Sequence, residues 1–260
     1  MLIALAAVLG LLIGSFLNVV VWRVPRGESI VSPPSACPRC GRPISPRDNV
    51  PVVSWLLLRG RCRHCHEPIS PRYPAVELAT GAAFALVAAR FGLSWELPAF
   101  LYLAAVSIAL ALIDIDVRRL PDAIVLPSYP VAALLLSGAA LLDGNPATIL
   151  RVLLGGAAAF AFYFVLAFAY PAGMGLGDVK LAGVLGMYLG FLGWGEVLVG
   201  LFMGFLVGGL VGVALILLRR AGRKSKIPFG PYMLIGAWIA VLAGGAVVDW
   251  YLGLMGVGVT

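Results

Sequence analysis

Apolar residues run along this chain in long blocks, and polar positions gather at the breaks between them. A helix that crosses a bilayer needs roughly 20 mostly apolar residues. Charged or Pro/Gly-rich points divide the chain into about eight stretches of this kind. They lie near residues 1–22, 74–92, 95–114, 123–142, 147–170, 178–194, 196–218 and 228–254. The sixth is the shortest and has the pattern of a broken or tilted helix. The pattern predicts an all-α polytopic membrane protein with one sizeable polar insertion, residues 23–73, between the first and second helices.

Composition agrees with the pattern: 61% of the 260 residues are hydrophobic, 12% are charged, and the mean hydropathy is +1.00. The first block lacks a basic leading region and an A-x-A site after its apolar run, so it is expected to stay as a membrane anchor. Lys and Arg are retained on the cytoplasmic side of spans. With residues 23–73 placed there, 17 of the 19 basic residues fall on that side; Arg90 and Arg151 are the exceptions. Both termini are then outside. The formal charge of +7 follows from this asymmetry and calls for no nucleic-acid partner.

All four cysteines lie in the polar insertion, as Cys37-x-x-Cys40 and Cys62-x-x-Cys65 with 21 residues between the pairs. Two such turns suit one tetrahedral Zn2+ with four thiolate ligands. A segment this small buries little apolar surface, and the metal supplies the missing cross-link. The cytoplasmic placement argues against disulfides. His64 and His66 flank the last cysteine and are read as surface residues. The apolar run "VPVVSWLLL" is too short to span, and forms either the small core of this segment or a surface resting on the membrane.

From Val152 to Leu218 the only charged residues are Asp178, Lys180 and Glu196. Asp178 lies in "GMGLGDVKL", where Gly173, Gly175 and Gly177 alternate with other residues. Asp114 and Asp116 lie where the third block leaves the membrane, and Asp122, which opens the fourth, reads as a helix N-cap. Two crossings separate residue 114 from residue 178, so both carboxylates return to one face. On a helix 114 and 116 stand about 200° apart, so only one of them can face Asp178. Spacing does not choose between them. Three readings stay open here: an aspartic-protease pair sharing a proton, an ion or proton pathway of a small transporter, and interfacial structure. A dinucleotide loop fits poorly, because G-M-G-L-G-D lacks the final glycine of GxGxxG and no βαβ pattern surrounds it. The glycines would give an extended substrate close access to the backbone.

"GSFLNVVVWRVP", the paired cysteine turns, "YPAVELATG", "DIDVRRLPD", "GMGLGDVKL" and "IPFGPYMLIGA" together resemble the bacterial prepilin peptidases, also called type IV leader peptidases. "GLGD" also looks like the GxGD signature of intramembrane aspartyl proteases. The resemblance implies a multi-pass enzyme of the bacterial inner membrane. Such an enzyme removes the short basic leader of type IV prepilins or type II secretion pseudopilins at the cytoplasmic face. It then N-methylates the new terminus with S-adenosylmethionine. Carried over by position, the catalytic pair is Asp114 and Asp178, with Asp116, Asp122, Gly175, Gly177 and Lys180 in support. The implied organisation is a first transmembrane helix over 1–22, a methylation-associated zinc segment over 23–73 with Cys37, Cys40, Cys62 and Cys65 as ligands, and a transmembrane peptidase region over 74–260. Gly14, Asn18 and Glu77 are motif residues near the zinc segment. The implied partners are prepilin substrates and the lipid bilayer. No recognisable S-adenosylmethionine fold occurs, and no residues are assigned to that cofactor.

Overall fold

The structure, a computed structural model, describes residues 1–171, 173–219 and 228–254. Of the basic residues used above for orientation, Arg220, Arg223, Lys224 and Lys226 lie outside the described residues, as does Ile227 of "IPFGPYMLIGA". Nine α-helices are present among the described residues: α1 (Leu2–Arg23), α2 (Val53–Leu57), α3 (Arg72–Phe91), α4 (Leu97–Val117), α5 (Asp122–Leu142), α6 (Ala147–Ala169), α7 (Leu176–Leu192), α8 (Trp194–Leu217) and α9 (Gly230–Leu254). No strand occurs among them, only two isolated β-bridges. Seven helices, all but α2 and α7, are long and apolar enough to cross a membrane. The protein is an all-α, multi-pass membrane protein.

Each predicted block is a helix, and the breaks have local causes. Gly92 ends α3 and Gly144 follows α5, both at positive φ, which glycine adopts without steric penalty. Pro121 caps the start of α5 in an extended conformation. The weak sixth block is the 17-residue α7, three residues short of a full span at 1.5 Å per residue.

The chain forms two compact units, Met1–Ile113 and Asp114–Thr260. In the first, α1 packs against α3 through Gly10 and Gly14. A Cβ on Gly14 would sit 2.7 Å from the Glu77 Cα, and one on Gly10 2.8 Å from the Gly81 Cα. These contacts are the small-xxx-small approach of membrane helices, which exchange side-chain volume for backbone contact. Asn18 Nδ2 donates to the Tyr73 carbonyl at 3.2 Å, so this polar group inside an apolar helix is partnered.

In the second unit α7 is the central helix. Val179 and every residue from Leu181 to Gly190 are buried, which explains a helix that is apolar all round. It packs most extensively on α6, where a Cβ on Gly155 would meet the Gly186 carbonyl at 2.7 Å. Arg151 of α6 donates from Nε to the Gly190 carbonyl and from Nη2 to the Phe191 carbonyl, both at 2.6 Å. These carbonyls belong to the unsatisfied last turn of α7, and the cation also suits the negative end of the helix dipole.

Candidate active site and metal centre

The two cysteine turns repeat one backbone pattern. Cys37 N–H donates to the Arg42 carbonyl and Gly41 N–H to the Cys37 carbonyl; Cys62 N–H donates to the Glu67 carbonyl and His66 N–H to the Cys62 carbonyl. The residue after each second cysteine has positive φ, Gly41 at 69° and His66 at 57°. A non-glycine residue there costs about 1 kcal/mol. His66→Gly is therefore expected to stabilise the second turn by about 0.5–1 kcal/mol, read as slower amide exchange over residues 61–68; unchanged or faster exchange would show that His66 is not strained.

The four Sγ atoms lie within 4.8 Å of one another, and Cys37 Sγ is 3.7 Å from Cys65 Sγ. A tetrahedron with Zn–S of about 2.3 Å has an S···S edge of about 3.8 Å. The cluster can hold a metal ion, and its shape and ligand set are compatible with zinc. Backbone N–H groups of Cys40 and Arg39 lower the Cys37 thiol to about 6, and those of Cys65 and His64 lower Cys62. The Glu67 N–H also favours the Cys65 thiolate, but burial and the hydrogen bonds shared with Cys37, Cys62 and Cys40 push that thiol up to about 12. His64 and His66 are exposed and outside the cluster.

Around the cluster, Arg63 Nε donates to both Asp48 oxygens at 3.0 and 2.9 Å, and this bond holds the Asp48 carboxyl below its usual range. In α2, Trp55 turns inward and donates to the Ile69 carbonyl at 3.1 Å. Val53, Leu56 and Leu57 are exposed. The apolar run thus serves as core at Trp55 and leaves an apolar surface beside it.

The carboxylates of the second unit lie where α4 ends and where α5, α7 and α9 begin. Asp114, in the last turn of α4, is 5% exposed. Its Oδ2 accepts the Gly230 N–H at the start of α9 at 3.0 Å. Asp116 is exposed, as expected for a residue on the opposite face of the same turn. Asp178, in the first turn of α7, accepts the Gly175 N–H on Oδ2 at 3.1 Å. This is half of a capping box, with the carboxylate at the positive end of the helix dipole.

Leu120 fills the space between the two. A Cβ on Gly177 would meet the Leu120 Cβ at 3.1 Å, and one on Gly230 would meet the Leu120 Cδ2 at 3.3 Å and Asp114 Oδ2 at 2.8 Å. The clearance at Gly177 is therefore occupied by the chain's own Leu120. Asp122 is not the cap of α5 but its first residue, capped by Pro121; its two oxygens each accept from Lys180 Nζ at 2.8 Å. Tyr129 Oη donates to the Lys180 carbonyl at 2.7 Å. These bonds fix the start of α7 against α5. Nearby, Tyr163 stacks on Phe205 at 5.3 Å, and Phe205 lies 5.2 Å from Phe229, forming an apolar wall. Sequence reasoning assigned no role to Gly230, Leu120 or Tyr163. Gly230 and Leu120 do lie in two of the quoted segments, "IPFGPYMLIGA" and "DIDVRRLPD"; nothing in the sequence marked Tyr163.

Comparison with known proteins bears on both units. Residues 8–91 match the family model for the bacterial peptidase A24 N-terminal domain, and residues 101–213 that for the type IV leader peptidase family. Across 96% of this chain and 93% of its own length, a prepilin leader peptidase/N-methyltransferase of Aeromonas hydrophila is 38% identical. The chain belongs to the type IV leader peptidase family. Relatives with the same description in Pseudomonas aeruginosa and Bacillus subtilis are 36% and 35% identical, over 95% and 94% of this chain and 92% and 96% of their own lengths. No solved structure matches the chain.

Proposed function

We propose that this protein cleaves the short basic leader of type IV prepilins or type II secretion pseudopilins, with Asp114 and Asp178 as a proton-sharing pair, and then methylates the new N-terminus. The observation that supports the reading is that Gly177, the neighbour of Asp178, and Gly230, which donates to Asp114, both approach Leu120. Two facing carboxylates cannot both ionise without a large penalty, so one is protonated. The ionised group takes a proton from water as the water attacks the scissile carbonyl. The protonated one donates to the carbonyl oxygen, and the departing amine then receives a proton. The Gly230 and Gly175 N–H groups hold Oδ2 of each aspartate, so the Oδ1 atoms carry the exchange. Asp122, Lys180 and Tyr129 keep α7 in register for this step. Asp116 has a supporting place at the rim.

Under the asymmetry of basic residues, the carboxylate end faces the cytoplasm and the bilayer is the bacterial inner membrane. The reading divides the chain into a first span over 1–22, a zinc segment over 23–73 that serves methylation, and a peptidase region over 74–260. Cys37, Cys40, Cys62 and Cys65 hold structural Zn2+, which fits the 3.7 Å Sγ separation. S-adenosylmethionine supplies an electrophilic methyl group for the new terminal amine, which must be neutral to accept it.

The purified protein, incubated with a prepilin, is expected to remove the leader mass. With S-adenosylmethionine present, the mature chain is expected to gain the mass of one methylene group. An unchanged prepilin mass would overturn the peptidase reading, and cleavage without the methylene gain would overturn the methyltransferase half.

A further inference from the structure

Within the first unit, the apolar surface beside Trp55 is held at membrane depth. Glu77 lies five residues into α3, about 7.5 Å from its start at 1.5 Å per residue. A Cβ on Gly14 would sit 2.7 Å from the Glu77 Cα, and Gly14 is nine residues, about 13 Å, short of the basic end of α1 at Arg23. Glu77 is therefore inside the spanning part of both helices. Its Oε2 accepts the Val52 N–H at 2.7 Å, so α2 begins near that level. Asn49 and Pro51 border the same cleft as Leu12 and Phe16 of α1, which places the approach to α2 at this depth as well. We propose that α2 is an interfacial anchor: Val53, Leu56 and Leu57 enter the boundary between headgroups and acyl chains, and Arg59 and Arg61 meet anionic lipid headgroups.

Polar backbone groups near hydrocarbon must be satisfied by the protein itself, and around α2 they are. Ser54 Oγ accepts the Val50 N–H at 3.0 Å and donates to the Arg47 carbonyl at 2.9 Å. The N–H groups of Ser54, Leu56 and Leu58 donate to the carbonyls of Val50, Val52 and Ser54. Trp55 spends its indole N–H inward, on the Ile69 carbonyl. The side chains left outward are apolar: Val53, Leu56 and Leu57 are 51%, 62% and 78% exposed.

Charge selects the headgroup. The insertion over 23–73 holds nine arginines against Glu28, Asp48 and Glu67. Arg63 engages Asp48 and Arg39 engages Glu67, so the two carboxylates nearest α2 in sequence are taken. Arg59 and Arg61 follow α2 directly and are exposed. Cations beside an apolar helical face mark a helix that lies in the membrane interface, and they are drawn to anionic lipids. A helix of five residues is too short to bind a membrane alone. Here α1 and α3 cross the bilayer on either side of it and keep it at the surface, so the local concentration of lipid is set by the fold.

The test uses the full-length protein in lipid nanodiscs, with a photoreactive benzophenone side chain placed at Leu57. In discs of phosphatidylglycerol and phosphatidylethanolamine, irradiation is expected to leave a phospholipid adduct on the peptide that carries residue 57, read by mass. In discs of phosphatidylcholine alone the yield is expected to fall at least about twofold, as anionic attraction is lost. The double variant Arg59→Gln, Arg61→Gln is expected to show the same fall in the anionic discs, with an unchanged melting temperature showing that it is folded. Absence of a lipid adduct in both kinds of disc, or cross-links into another protein segment or a second copy instead, would overturn the lipid seat. Equal yields in all three samples would overturn the assignment of Arg59 and Arg61 to anionic headgroups.

Discussion

Asp178→Asn and Asp114→Asn are each expected to lower leader cleavage by at least about 10³-fold, within the range for a lost acid–base group. Asparagine is the informative replacement. Its carbonyl oxygen can still accept the Gly175 N–H at position 178 or the Gly230 N–H at position 114. The first turn of α7 and the end of α4 should therefore stay in place, and the loss reports on proton transfer. Because the two groups act as a unit, the double variant should be no worse than either single one. Asp116→Asn is the comparison: its side chain is exposed, about 200° around the helix from Asp114, and less than tenfold loss is expected. The measurement is the rate of leader loss from a prepilin, followed by mass. Near-normal processing by both single variants would remove the pair from the chemistry.

What could be read from sequence divides along the range of the interactions. The helices were legible because a span is declared by twenty consecutive residues, and the cysteine cluster because both turns are local and their spacing is chemical. Asp114 was harder. Spacing left it level with Asp116, and only the three-dimensional arrangement buries one and exposes the other. The bond from Gly230 N–H to Asp114 joins residues 116 positions apart, and no periodicity carries such a pairing. Lys180 illustrates the same limit: its sequence neighbour is Asp178, yet its ion pair is with Asp122 on α5. α7 was the least certain block for a different reason. A helix buried on every side has no polar face from which its period and ends can be read, and its glycines signal loops as strongly as they signal close helix packing.

Removing zinc is expected to unfold the segment between Ala36 and Ile69 while the membrane helices persist. Structural zinc binding in small domains is worth about 10–16 kcal/mol at neutral pH, more than the stability of a small segment with so little core. What remains without the metal is thin: chiefly Trp55 against Gly60 and Ile69, and the ion pairs Arg63–Asp48 and Arg39–Glu67, and solvent-accessible pairs of this kind contribute little to stability. Four thiols gathered within 4.8 Å of one another are a ligand set matched to one tetrahedral ion. Cys40→Ser or Cys62→Ser should each reduce bound zinc, measured by elemental analysis under reducing conditions. Each should also open residues 36–69 to protease, with the helical circular dichroism nearly unchanged. A protein that carries no metal under reducing conditions, yet resists protease over this segment, would show that the cysteines do not form a structural zinc site.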